Sequence, residues 1–268
     1  MPDPSKSVPE IFDRNARQLR RRRATGGGFF AETMAADLFE RLDMVQRDFG
    51  EALVIGAAPM LVEGLKERGI RWEIYRGEED RLDAGEARFD LILSSATLDT
   101  VADLPGALLL MRRALKPDGL LLANFAGAPT LSALRAAIAI ADGDTGVARQ
   151  HPQVDVRSAG DLLVRAGFAL PVADLDTVAV AYASLGRLLT DLREGAATNV
   201  LARRYPISRR WLAGVDAAFT AQAGDDGRTH ETLSYITLTG WAPSPDQPQP
   251  ARRGSGTTSL ADALKPKR

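Results

Sequence analysis

Apolar runs punctuate the chain at ALVI (52–55), FDLILSS (89–95) and LLLANF (120–125), and each is apolar at successive positions. That is the pattern of strands covered on both faces. TLSYITLTGW (232–241) instead alternates, as does the shorter IRWEIY (70–75), and Phe168 to Val172 and Thr177 to Tyr182 read as two further strand-like runs. Between these runs the apolar period lengthens to that of a helix. Phe30, Met34, Leu38, Leu42 and Val45 mark one helix, and others are predicted over Met60 to Arg68, Asp103 to Leu115, Thr130 to Ala141, Leu185 to Leu201 and Ser208 to Ala221. Ser158 to Ala166 is a further helix, with Ser158 as N-cap and Asp161 at its third position. Lys116-Pro117-Asp118-Gly119 has Pro and Gly where a turn wants them. Alternating strands and helices of this length predict an α/β fold, a mostly parallel sheet covered on both faces. Between Gly56 and Phe89 there is space for one helix and one strand where a doubly wound sheet normally places two strands, so the sheet is expected to be one strand short.

The flanks differ from this middle. Ile11 to Ala24 (IFDRNARQLRRRRA) is a strongly basic helix whose Ile11, Phe12 and Leu19 can dock on the main body; its cations are either a solvated face or a patch for an acidic partner. Beyond Ala242 the composition shifts to Pro, Gln, Ser and Gly, the signature of a disordered tail, with one turn at Leu260 to Leu264. The expected division is a basic N-terminal helix over 1–28, a domain over 29–242 and a tail over 243–268.

Composition narrows the chemistry. The chain has no cysteine and two histidines, which excludes thiol catalysis and makes a multi-histidine metal site unexpected. A net charge of -1 offers no global attraction to nucleic acid, and no apolar run approaches the length of a membrane span. No metal, no specific nucleic acid and no membrane span are expected, and the localisation reading is cytoplasmic.

The candidate cofactor residues cluster at strand ends. Gly56 follows ALVI and precedes a helix, the arrangement that brings a ligand up to backbone amides. Glu78, Glu79 and Asp80 form an acidic turn after IRWEIY, and Ser94, Ser95 and Asp99 follow FDLILSS at the sheet edge where open α/β folds bind ligands. His151, in a loop beside Pro152, is either exposed or a base.

The order strand-Gly-helix, FDLILSS, ADLPGALLLMRRALKPDGLLLANFAG, TLSALR and DVRSAGDLLVRAGF resembles the class I S-adenosylmethionine-dependent methyltransferase family, whose sheet is Rossmann-like. Within it, the chain is similar to the methyltransferase-like assembly factors of respiratory NADH-ubiquinone oxidoreductase and to the biotin-pathway methyltransferase of malonyl carrier protein. The likeness runs from Ile11-Phe12-Asp13-Arg14 to ARRGSGTTSLADAL in the tail. The resemblance implies S-adenosylmethionine as cofactor and a protein or carrier-linked acceptor, and for some members of the group hydroxylation of an arginine on an oxidoreductase subunit. It also implies a helical lid over 128–160 and 183–222, with Arg187 and Arg193 in this inserted region and Tyr182 at its edge; Asp155 and Arg157 of VDVRSAG match the group's signature and are, with Tyr182, the candidate substrate residues, the alternative for the first two being a salt bridge between elements.

The cofactor loop departs from the family pattern. Val54 stands where an acid orients the cofactor's methionine end, Gly56 matches the first glycine, and Ala58 and Met60 replace the next two. Valine accepts no hydrogen bond from an ammonium group, and a Met side chain projects where glycine leaves room. Glu78 matches either the acid after the third strand, which contacts adenine, or the acid after the second, which holds the ribose hydroxyls. Each lost charged hydrogen bond costs about 1.5 to 3 kcal/mol. The cofactor-binding set is therefore Gly56, Glu78, Glu79 and Ser94, with binding expected to be weak or lost; no catalytic residue is identified.

Overall fold

The computed structural model describes residues 10–24, 28–56 and 59–247. Six strands, β1 (Glu51–Ile55), β2 (Arg71–Tyr75), β3 (Phe89–Ser95), β4 (Leu115–Ala126), β5 (Ala169–Tyr182) and β6 (Thr229–Trp241), build one sheet in the order β2-β1-β3-β4-β6-β5. The first four pair in parallel and only β6 runs against its neighbours. IRWEIY pairs directly with β1 and lies at the sheet edge, so it occupies the second-strand position, and no strand flanks its outer side among the described residues.

Strand geometry explains why both faces must be covered. Successive side chains point to opposite sides, so Leu53 and Ile55 of β1 join Ile92, Leu121 and Phe125 on one face. Ala52 and Val54 join Leu91, Leu93 and Leu122 on the other. The first face is sealed by α4 (Leu104–Ala114) and α6 (Val156–Arg165), the second by α2 (Phe29–Asp43) and α3 (Pro59–Glu67). A third cluster lies beyond the sheet's end. There α5 (Ser132–Asp142), α7 (Leu185–Glu194) and α8 (Arg209–Thr220) pack Leu134, Leu188, Val215 and Phe219 around Tyr182.

The register departs from expectation in instructive places. The two runs expected around residues 168–182 are one strand of 14 residues. Asp174 and Asp176, which interrupt its apolar pattern, face Arg41 of α2 as ion-pair partners. Pro171, which has no N–H to give, sits on the edge strand at the register shift between Ala169 and Val172. The Lys116–Gly119 turn is absorbed into β4, with Asp118 at φ 61°. Helix α6 begins earlier than expected: Asp155, not Ser158, is its N-cap, accepting from the Ser158 N–H at 2.9 Å. Helix α7 stops at Glu194 because Gly195 and the left-handed Ala196 turn the chain away. Residues 1–9, 25–27, 57–58 and 248–268 lie outside the described residues, and with them the expected N-terminal and tail disorder and the replaced glycine at Ala58. Of the expected tail, Gln247 is buried and donates to Asp118 and Ala242.

Helix α5 has no side-chain cap of its own; Leu131, ahead of it, is left-handed. Its first amides are met instead by the buried carboxylate of Glu231 on β6, 3.2 Å from the Ala133 nitrogen and 2.6 Å from that of Leu134. Replacing Glu231 with alanine leaves these amides without their acceptor and is expected to cost about 2 kcal/mol, read from the urea midpoint. Glu231→Gln keeps one acceptor and should lose about half as much.

Candidate functional site

One face of the basic helix is not solvated, while Arg22 and Arg23 are exposed. Helix α1 (Arg14–Arg23) is started by Asp13, whose carboxylate accepts from the Ala16 N–H at 2.9 Å. It is tied to the segment between α7 and α8 through buried Phe12, which packs with Val200 and Leu201. The backbone joins there too, Asp13 donating to the Val200 carbonyl at 2.8 Å and Ala202 to that of Ile11 at 2.8 Å. Arg14, Arg17 and Arg21 recur at helical spacing, so they share one face. That face meets the acidic turn after β2. Arg14 takes both oxygens of Asp80 at 2.6 and 2.7 Å. Arg17 reaches Glu78 at 2.9 Å, Glu79 at 2.6 Å, the Thr97 carbonyl at 2.6 Å and the Thr100 hydroxyl at 3.0 Å. Arg21 takes the other oxygen of Glu79 at 2.7 Å, and Gln18 donates to the other oxygen of Glu78 at 3.2 Å.

Arg17 and Glu79 are 2% and 0% exposed, so these charges are removed from water and depend on one another. Burial alone pushes the Glu79 carboxyl up, but Arg21 and Arg17 prevail and hold it below its ordinary value. The hydrogen bond from Arg14 does the same for Asp80.

Several of the expected cofactor-side residues have partners of their own. Gly56 has φ 93°, and a Cβ there would stand 2.7 Å from Cγ2 of Thr97. Ser94 is fully buried, its hydroxyl 2.8 Å from that of Thr97, so it braces the β3 loop. Met60 lies on the first turn of α3, partly exposed, away from the cavity described next. Both oxygens of Glu78 and of Glu79 already accept hydrogen bonds. With α1 seated in this way, Arg17, Arg21 and Gln18 occupy part of the acceptor capacity of the two carboxylates at the end of β2.

A cavity of about 110 Å³ opens beside this cluster, over the ends of β3, β4 and β6. Phe29, Phe30, Met34, Leu131, Leu192 and Leu233 give it apolar walls, and Arg17, Arg21, Asp99, Asp191 and Tyr182 supply its polar groups. Burial pushes the Asp99 carboxyl up to about 6, against the pull of Arg17 and Arg21. Tyr182 is held protonated, above the usual phenol range, by burial and by the Asp191 carboxylate beside it. Of the three substrate residues expected from sequence, the cavity takes in only Tyr182. Asp155 is committed to capping α6, also accepting from the Ser158 hydroxyl at 2.7 Å, and Arg157 follows it as an exposed residue of that helix. Asp191 carries no motif of its own in the sequence, and the spacing of Arg14, Arg17 and Arg21 marks a shared helix face without naming the acidic turn it meets.

His151 is neither exposed nor a base. Its Nε2 accepts from the Val200 N–H at 2.9 Å, and its ring meets Phe12 edge-on at 5.5 Å, so it joins the segment after α7 to the approach of α1. Burial, helped by Arg135, lowers its pKa to about 4 from 6.5. A histidine protonated more readily when unfolded contributes stability above pH 6.5 that is lost as pH falls through that value towards 4. The expected result is a thermal midpoint that declines over this window, with a smaller decline in His151→Gln.

Comparison with known proteins agrees with the sheet. Residues 24–123 match the family described as "Methyltransferase domain". A crystal structure from Bacillus halodurans C-125, described as that of a methyltransferase-type protein, covers 79% of this chain and 100% of its own at TM-score 0.53 and 12% identity, which establishes fold alone. The chain has the fold of the class I S-adenosylmethionine-dependent methyltransferases. Within that class it resembles the protein named "Arginine-hydroxylase NDUFAF5, mitochondrial": it is 29% identical to that of Danio rerio over 90% of this chain and 73% of the relative. To the Homo sapiens protein it is 33% identical over 69% of this chain and 55% of the relative. It is also 34% identical to "Malonyl-[acyl-carrier protein] O-methyltransferase" of Xylella fastidiosa, over 70% of this chain and 64% of that protein. The matched regions thus span little more than half of the human relative and under two thirds of the Xylella one. Among the described residues no helix is long and apolar enough to cross a membrane, and no group of three or more His, Cys, Asp or Glu side chains is placed to hold a metal ion.

Proposed function

We propose that this chain acts on, or chaperones, a protein partner such as a respiratory-complex subunit, using a methyltransferase fold that binds S-adenosylmethionine weakly or not at all. The reading is of a pseudoenzyme with respect to methyl transfer, working in the cytoplasm. The observation that supports it is the engagement of Glu78 and Glu79 by Arg17 and Arg21, which takes up part of the acceptor capacity that a cofactor's hydroxyls would use there. The altered loop at Val54, Ala58 and Met60 supports the same direction. The cavity adjoins that cluster, sharing Arg17 and Arg21 with it, and stays open, apolar enough for an aliphatic stem and lined also by Asp99, Asp191 and Tyr182. This suits a partner's side chain better than a nucleotide.

A second reading is favoured by that same cavity: an active methyltransferase or hydroxylase on a protein or carrier-linked acceptor. One kind of relative is named for hydroxylating arginine and the other for methylating a malonyl group on acyl carrier protein. Calorimetric titration with S-adenosylhomocysteine separates the two. We expect a dissociation constant above about 50 µM; tighter binding would transfer support to the active enzyme.

A further inference from the structure

The segment that leaves the cavity wall at Val200 continues as ARRYPISRR (202–210) into α8. Arg203, Arg204, Arg209 and Arg210 are all exposed. Among the described residues only Arg204 has a carboxylate in reach, Asp13 at 2.7 Å. Ile207, between the two arginine pairs, is 64% exposed, and Leu212 just beyond is 42% exposed.

A basic loop with no role beyond solubility needs no fixed shape, yet this one is held from beneath. Arg149 donates to the carbonyls of Tyr205 and Pro206 at 3.4 and 3.3 Å and lies over the Trp211 ring at 4.4 Å. It is anchored in turn by Asp142 at 2.7 Å, which also accepts from the Trp211 indole at 2.8 Å. Arg203 rests on the Tyr205 ring at 5.0 Å. Ordering a surface before a partner arrives lowers the entropy lost on binding.

We infer that the 202–210 loop is the docking surface for an acidic segment of a protein partner, whose carboxylates meet Arg203, Arg209 and Arg210 while an apolar side chain settles on Ile207 and Leu212. Arginine suits this role because its planar fork pairs with carboxylates through two hydrogen bonds. A nucleic acid fits less well. The chain's net charge of -1 gives no long-range pull on a polyanion, and the adjoining cavity wall carries Asp99 and Asp191. The inference supplies the partner's chemistry for the function proposed above and rests on that reading.

The test is fluorescence anisotropy of the full chain with a fluorescein-labelled peptide of about twelve residues repeating Glu-Glu-Leu, at physiological salt. Saturable binding is expected, weakened at least about tenfold in R203E/R209E/R210E and several-fold in I207E, with thermal midpoints matched to confirm folding. Single variants R203E and R209E serve should the triple one unfold. Glu63→Gln, exposed on α3, should leave peptide binding unchanged. Absence of binding, binding within twofold in the charge-reversed chain, or tighter binding of single-stranded DNA or phosphatidylserine vesicles would overturn the inference. Cofactor titration and peptide binding are read separately, so a tight S-adenosylhomocysteine complex with intact peptide docking would remove the proposed function's cofactor claim and leave the docking surface standing.

Discussion

Arg17→Ala is expected to lower unfolding free energy by about 3 to 5 kcal/mol, the cost typical of leaving a buried charge without its partner. The geometry explains why the effect should lie in the upper part of the mutational range. Arg17 is 2% exposed and donates to four separate groups, on the acidic turn and on the segment after β3. Removing it leaves Glu79 fully buried with Arg21 as its remaining cation and leaves the Thr97 carbonyl with a longer bond to Arg21, 3.3 Å. Arg17→Met with Glu79→Leu removes charge from both sides and should cost less than Arg17→Ala alone; a double variant as unstable as the sum of its parts would show that packing, not pairing, is at stake. Urea unfolding at neutral pH reads both. The pH dependence has a fixed sign: with the Glu79 carboxyl held below its ordinary value, this stability is present above the usual carboxylate range and is lost as pH falls through and below it.

Strand periodicity made the sheet legible. Runs such as LVI and LILSS alternate between two buried faces, and no other placement hides both halves. The missing strand was legible too, because the span from Gly56 to Phe89 is too short for two. What remained open was which strand IRWEIY represents, since chain length counts elements without placing them; pairing with β1 answers that. Helix ends were less readable: Asp155 and Ser158 are both good caps, and only the chain's path selects between them. The acidic turn was seen but its partner was not. Arg14, Arg17 and Arg21 lie far from Glu78 in sequence, and a basic helix carries the same residues whether it faces water or a carboxylate cluster. Asp191 was invisible for a similar reason, as an aspartate on an amphipathic helix gains meaning only from the cavity it faces.

Loosening α1 without unfolding the protein should reveal whether its arginines exclude the cofactor or hold it. Arg14 and Arg21 are the part-exposed members of the cluster, and Arg17 is its buried centre. Arg14→Gln with Arg21→Gln therefore weakens the seat of the helix while keeping the cation that the core needs. Exposed and part-exposed pairs contribute about 0.2 to 1 kcal/mol each, so together they are worth roughly a decade in the population of an undocked helix. A ligand that binds only when Glu78 and Glu79 are free has an apparent affinity reduced by the fraction of molecules in that state. The calorimetric dissociation constant for S-adenosylhomocysteine in the double variant should consequently fall about tenfold relative to the parent chain. A constant that rises instead would mean that the guanidinium groups grip the cofactor, so that the closed cluster is part of a binding site and the acidic turn orients the arginines for it.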